Sequence, residues 1–350
     1  MVANGVTLRW RSSDLREEPV YIALDRSGEL KRRAEALESR LGSCDICPRE
    51  CGVNRLENAP GFCHSGRLPV VSAVCAHHGE EPAISGSRGS GTIFFGNCNM
   101  RCVYCQNYQI SQDYQAQQSK EIDSHTLAER MLYLQDEAGC HNINFVSPSH
   151  FVPQLVRGVL DAVPMGLRLP LVYNTSSYDS IRSLEKLEGI ISIYLADLRY
   201  ASNNWGSKFS QVTDYVEKAR AAIREMYRQV GELTVDDDGI AQKGLIVRHL
   251  ILPHRLAGSE DSLGWLAREV SPEVTVSIMA QYFPAHRAAK FPLLSRTILS
   301  SEYSEVTRLL SKLGIENGWV QEMGSSEDYL PDFACENQPF SLMVSRQSCS

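Results

Sequence analysis

The chain has little that would mark it for a membrane, a secretory route or a polyanion. Its first 25 residues, MVANGVTLRWRSSDLREEPVYIALD, contain no apolar core of the kind a signal peptide carries. The longest apolar-rich run, GLIVRHLILP, is too short and too charged to cross a bilayer. Lys and Arg number 35 against 42 Asp and Glu, a formal charge of −7, so a broad basic surface that binds nucleic acid by counterion release is not expected. No internal repeat or low-complexity tract stands out. These absences point to a cytoplasmic globular protein with neither a membrane nor a nucleic acid as partner. At 350 residues and 43% hydrophobic content it can fill one large α/β core or two ordinary ones.

Cysteine is the residue present in excess. In a reducing compartment, eleven cysteines are poor candidates for structural disulfides and better ones for metal ligands or reactive thiols. Seven fall in two clusters: Cys44, Cys47, Cys51 and Cys63, then Cys98, Cys102 and Cys105. Cys75, Cys140, Cys335 and Cys349 are scattered and are read as small apolar residues without a role.

Residues 27–41 place Leu30, Ala34, Leu37 and Leu41 at helical spacing among charges, with Gly42 as a stop. Residues 43–91 are rich in Cys, Gly, Pro and Ser and read as loops in need of a tether. After Gly91, six short apolar runs are expected as strands: 92–95, 143–146, 169–174, 191–197, 244–252 and 274–283. Helical patterns fall near 124–138, 151–163, 179–188, 209–230, 259–269 and 301–313. This alternation predicts right-handed βα units with a parallel sheet and a site at the C-terminal strand ends. Six units cannot close the usual eight-stranded barrel. The expected fold is therefore α/β, a partial (βα)6 TIM-like barrel with a Cys-rich N-terminal extension. The expected divisions are 1–90 for the helix and Cys-rich extension, 91–300 for the barrel core and 301–350 for a C-terminal helix and tail.

Cys98, Cys102 and Cys105 follow directly on TIFFG, the first expected strand of the barrel. Soft thiolates at short spacing suit iron–sulfur clusters or zinc, and a closed site of either kind wants four ligands. Three thiolates leave one position for an exogenous molecule, as catalytic zinc sites also do.

Cys98-x3-Cys102-x2-Cys105, with Tyr104 before the last cysteine, resembles the signature of radical S-adenosylmethionine enzymes. CDICPRECGVNRLENAPGFC, GEEPAISGSRGSGTIFF, CVYCQN, VSPSHFVPQL, VYNTSSY, YLADLRY, RHLILP and MAQYFPAH extend the likeness over most of 43–335. Together they resemble a group of uncharacterised proteins related to pyruvate formate-lyase activating enzyme. The resemblance implies a 4Fe-4S cluster on the three thiolates and reductive cleavage of S-adenosylmethionine to methionine and a 5′-deoxyadenosyl radical. It also implies an electron donor such as flavodoxin or ferredoxin, and leaves the substrate open, with a protein among the candidates. It nominates Tyr104 for the adenine, Asn174, Thr175 and Asp197 for the cosubstrate, and Arg248 for its ribose or carboxylate. Where those activases carry a Gly-Gly-Glu turn, this chain has Val146-Ser147-Pro148-Ser149, expected to bind the amino group through backbone carbonyls. Asn174 and Arg199 replace an acid and a lysine usual in the activases.

Cys44-x2-Cys47-x3-Cys51-x11-Cys63 offers four thiolates, enough to close a zinc site or a second iron–sulfur cluster. A closed site without catalysis is expected there, with its metal unassigned. The competing reading of the whole chain is a zinc-stapled binding or scaffold protein without radical chemistry. His150, His254 and His286 are read as structural or surface residues.

Overall fold

The computed structural model describes residues 18–324, 331–333 and 339–340. Cys335, Cys349 and the outer parts of the first and last expected divisions lie outside the described residues.

Among the described residues, nine strands form one sheet: β1 Val71–His77, β2 Ser90–Phe95, β3 Ile143–Val146, β4 Leu171–Thr175, β5 Ile193–Asp197, β6 Thr234–Val235, β7 Ala241–Leu250, β8 Thr275–Met279 and β9 Gly318–Val320. The order is β1-β2-β3-β4-β5-β7-β8-β9, with β6 pairing antiparallel on β7. From β2 to β9 every neighbour on this path is parallel, and only β1 runs antiparallel to β2. The protein is thus a mixed α/β fold dominated by a parallel sheet. Every residue of β2, β3 and β4 is buried, the burial expected of parallel strands covered on both faces.

The helices begin and end where local chemistry favours it. Ser124–Leu132 starts behind Asp123, whose carboxylate accepts the Thr126 amide at 2.7 Å. Val152–Ala162 carries Pro153 in its first turn, where no amide is needed. Tyr215–Val230 stops at Gly231, which takes a φ of 67°. The helix Glu29–Ser39 packs on Val152–Ala162, and Arg157 forks onto Glu38 at 2.5 and 2.7 Å. Leu30, Leu37, Cys44 and Ile46 share one continuous core with Phe95, Phe145, Tyr173 and Tyr194.

The six expected strands are present as β2, β3, β4, β5, β7 and β8, and the structure adds elements to them. β1 lies inside the segment read as loop, and Val71, Val74 and Cys75 pair there with Phe95, Ile93 and Thr92. β9 supplies a seventh parallel strand after the helix Ser300–Leu313. Its first residue, Gly318, has a φ of 134°, and a Cβ there would stand 1.8 Å from the Val276 carbonyl oxygen. Three residues carry too little pattern to be read as a strand; the docking against β8 makes them one. The helix expected over 209–230 is two, Asn203–Ser210 and Tyr215–Val230. Between them Gln211 turns left-handed at φ 54°, and Val212 is fully buried while its amide bonds back to the Gly206 carbonyl. The expected helix at 179–188 shrinks to Ile181–Leu184 and a 3-10 turn, Glu185–Leu187.

Candidate functional site

One cavity of about 670 Å³ opens at the C-terminal ends of the parallel strands. Phe94, Val146, Asn174, Asp197, Arg248, Met279 and Val320 line it, one from each of the seven parallel strands, so the sheet curves around it. Its size suits a small organic ligand.

Arg248 on β7 organises its charged wall. Nε and Nη2 donate to the two Glu81 oxygens at 2.8 Å each, Nη2 also donates to Glu80, and Nη1 donates to Asn174 Oδ1 at 3.3 Å. Glu80 and Glu81 are 8% and 5% exposed. Burial pushes the Glu81 carboxyl up, and the Arg248 guanidinium more than offsets it, leaving the carboxyl below its ordinary value. Burial likewise opposes the Arg248 charge, and the two carboxylates hold it well above its usual value. Arg248 was expected to reach a ligand's ribose or carboxylate. It lines the cavity, but each of its nitrogens already serves a protein oxygen.

Asn174 also lines the cavity, its amide nitrogen 3.5 Å from Glu80. Thr175 beside it donates to Asp179 at 2.5 Å and lies 3.1 Å from the Ser149 hydroxyl. Asp197 ends β5 and accepts from Arg199 Nη2. Burial raises the Asp197 carboxyl, with Arg199 pulling the other way. Arg199 lines the cavity too, and its buried Nε has no hydrogen-bond partner. At the end of β3, Ser147 faces the cavity in the left-handed region at φ 57°, with its amide donated to the Asn174 carbonyl at 2.9 Å. A non-glycine residue held there costs of the order of 1–3 kcal/mol, strain characteristic of functional turns.

Cys98, Cys102 and Cys105 lie on the loop that leaves β2, next to Gln106 and Asn107 of the cavity wall. The three sulfurs have different neighbours. Cys102 accepts from Ser210 Oγ at 3.1 Å, Cys98 from the Met100 amide at 3.4 Å, and Cys105 lies 3.3 Å from Ser111 Oγ. Burial raises the Cys98 and Cys105 thiols, Cys105 to about 12, and mutual repulsion with Cys102 adds to both. Arg199 opposes these shifts.

Tyr104 was expected beside the adenine. It is buried and outside the cavity lining, its hydroxyl 2.5 Å from that of Tyr200, which continues to Ser210 at 2.8 Å and so to Cys102. Its ring packs edge-on against Tyr200 and Tyr282.

Cys44, Cys47, Cys51 and Cys63 line one separate small cavity of about 10 Å³ together with Arg49, Arg55 and His150. Burial pushes the Cys47 thiol up to about 12, reinforced by Cys63, Cys44 and Cys51. Among the described residues, no three His, Cys, Asp or Glu side chains stand in metal-coordinating geometry.

Glu80, Glu81 and Arg199 were not nominated from sequence as site residues. Glu80 and Glu81 belong to the GEEPAISG stretch of the resemblance but were given no role there, and only the fold brings them to Arg248, more than 160 positions away.

No family model matches the chain. It is 27% identical over 295 residues to an uncharacterised protein of Methanocaldococcus jannaschii, covering 82% of this chain and 80% of that one. Among solved structures, it overlaps the crystal structure of HydG, a maturase of the FeFe-hydrogenase. The TM-score is 0.44 at 11% identity, with 91% of this chain and 70% of that chain covered. An overlap of that size assigns neither activity nor ligand to this chain.

Proposed function

We propose that this protein is a radical S-adenosylmethionine enzyme built on a partial barrel, the curved sheet from β2 to β9. One observation carries the reading. Three cysteines in the Cys-x3-Cys-x2-Cys pattern stand at the C-terminal end of the first parallel strand, beside a cavity of nucleoside size.

The donor set fits a 4Fe-4S cluster. Ser210 and the Met100 amide already point donors at sulfur, and hydrogen bonds of this kind tune cluster potential. Arg199, with a buried nitrogen free, supplies positive charge beside the thiolates. Cys98, Cys102 and Cys105 would hold the cluster. When bound, it would supply the electron, drawn from a flavodoxin- or ferredoxin-type donor, that reductive cleavage of S-adenosylmethionine to methionine and a 5′-deoxyadenosyl radical requires.

The remaining work is positioning. Ser147 and the Val146 carbonyl hold the amino group, while Asn174 and Asp197 face the methionine and ribose. Arg248, locked by Glu80 and Glu81, orients Asn174 in place of touching the ligand. Misplacement by about an ångström costs on the order of a hundredfold in such chemistry, so rigid strand ends suit the task. The substrate is left open, a protein among the candidates, and the compartment is read as cytoplasm.

Anaerobic reconstitution with iron and sulfide, followed by reduction with S-adenosylmethionine present, is expected to release 5′-deoxyadenosine. Cys98→Ala is expected to abolish both this release and the cluster absorbance. Asp197→Ala should keep the absorbance and lose most cosubstrate binding. Reconstituted protein that takes up iron yet yields no 5′-deoxyadenosine would remove the radical reading.

A further inference from the structure

The segment around Cys44 contains two polar groups the proposed radical chemistry does not use. Arg55 is 1% exposed, and its Nη2 has no hydrogen-bond partner. Its other nitrogens are engaged: Nε donates to the Gly66 carbonyl at 3.1 Å, and Nη1 to the His150 carbonyl at 2.7 Å while lying 3.8 Å from Cys44 Sγ. His150, also 1% exposed, has an unpartnered Nδ1. Its Nε2 faces the Gly96 carbonyl at 3.1 Å and must donate there, so the neutral ring carries a lone pair at Nδ1. Both residues line the small cavity with the four cysteines. A buried guanidinium with one nitrogen lacking an acceptor, lining the same small cavity as four thiols and with another nitrogen 3.8 Å from Cys44 Sγ, calls for negative charge there.

Donor type and charge narrow the occupant. One divalent ion with four thiolates carries a charge of about −2, and a closed tetrathiolate set is the preferred environment of structural zinc. Arg49 and Arg55 line the cavity and supply two positive charges, and the exposed Glu50 lines it as well.

The same segment grips the loop that carries the other three cysteines. Arg49 donates to the Asn99 carbonyl at 3.0 Å and lies 3.7 Å over the Phe62 ring. Arg101 donates to the Phe62 carbonyl at 2.5 Å. Asn97 donates to the His64 carbonyl at 3.3 Å, and His150 reaches Gly96. Every one of these contacts springs from residues between or next to the four cysteines, or from His150, whose carbonyl Arg55 holds.

We propose that Cys44, Cys47, Cys51 and Cys63 close on one zinc ion, its negative charge offset in part by Arg49 and Arg55, and that this ion clamps the 96–101 loop in place. The zinc site stands on its own observations; the clamp's value to catalysis rests on the radical reading above.

The test uses the full chain with Cys98, Cys102 and Cys105 all changed to Ala, which removes the other thiol set. This variant is expected to hold one zinc per chain, with four sulfurs at about 2.3 Å by X-ray absorption at the zinc edge and no visible absorption. Arg55→Met in that background should weaken zinc by about 10–100-fold in chelator competition, the usual cost of losing an outer-shell partner. In otherwise unchanged protein, stripping the zinc should speed amide hydrogen exchange over 44–66 and 96–101 while β3 to β8 stay protected. Iron with sulfide in the triple variant, no metal at all, or three sulfurs with one nitrogen from His150 would overturn the zinc assignment. Zinc removal that leaves 96–101 protected would overturn the clamp. Loss of 5′-deoxyadenosine formation with an intact zinc site would count against the radical reading alone.

Discussion

Replacing Arg248 with Met would leave two carboxylates, Glu80 and Glu81, buried without their cation. The guanidinium makes two 2.8 Å bonds to Glu81, a further bond to Glu80 and one to Asn174, and the side chains of all three charged residues are at most 13% exposed. Breaking a buried pair by removing one partner costs about 3–5 kcal/mol. With a urea slope of about 3 kcal/mol per M or somewhat more for a chain this long, the midpoint should fall by about 1 M. The loss must depend on pH. In the native protein Glu81 titrates below its ordinary value, so the pairing stabilises the fold above that ordinary value and fades as pH falls through the native one. In the variant the buried, unpaired carboxyl titrates above its ordinary value instead, so the deficit grows as pH rises and shrinks toward pH 4. Urea unfolding of both proteins at pH 5 and pH 8 measures this. Glu81→Gln in the Arg248→Met background should recover part of the loss at pH 8 by removing the orphaned charge. A deficit under about 1 kcal/mol at pH 8, or one that widens on acidification, would refute the argument.

Two further perturbations test other parts of the structure. His249 is fully buried between the Leu198 carbonyl at 2.8 Å and Ser259 Oγ at 2.9 Å, and burial pulls its pKa down to about 4. A native pKa below the unfolded one means stability present at pH 7 and lost as pH falls from about 6.5 toward 4, about 2 kcal/mol of it by pH 5. His249→Asn should flatten that part of the stability–pH curve, and an unchanged slope would show that His249 titrates normally. Gly318→Ala would drive a methyl group into the Val276 carbonyl and so detach β9, whose Trp319 and Val320 wall the cavity. Faster amide exchange over 318–320, with β2 to β5 unaffected, is the expected outcome, and protection equal to the parent protein would show that the strand tolerates a side chain.

Much of the α/β layout was open to reading from the chain because its parallel strands are short apolar runs buried on both faces. INFV and VYNT need no partner to be recognised, since any parallel sheet would bury them the same way. Cysteine spacing works likewise. A thiol cluster whose members lie within a few residues is held close by the backbone alone, so Cys98, Cys102 and Cys105 declare themselves locally. Elements that exist through distant partners were not open to such reading. β1 belongs to the sheet because its backbone pairs with β2, and β9 because Gly318 lets three residues approach β8. The left-handed turn at Gln211 follows from burying Val212, a tertiary demand that overrides a helical pattern.

Electrostatic partnerships lay furthest from the sequence. Coulomb and hydrogen-bond energies depend on separation in space, and nothing in the order of residues brings Glu80 and Glu81 to Arg248, or Arg55 to His150 and Cys44. Residue type and local spacing therefore established which chemistries the chain can carry and roughly where its strands fall. The tertiary structure alone decided which charges meet: it tied Arg248 to two buried acids, drew the Tyr104 hydroxyl into a chain leading to Cys102, and set Arg55, with a donor to spare, in the lining of the same small cavity as four thiols.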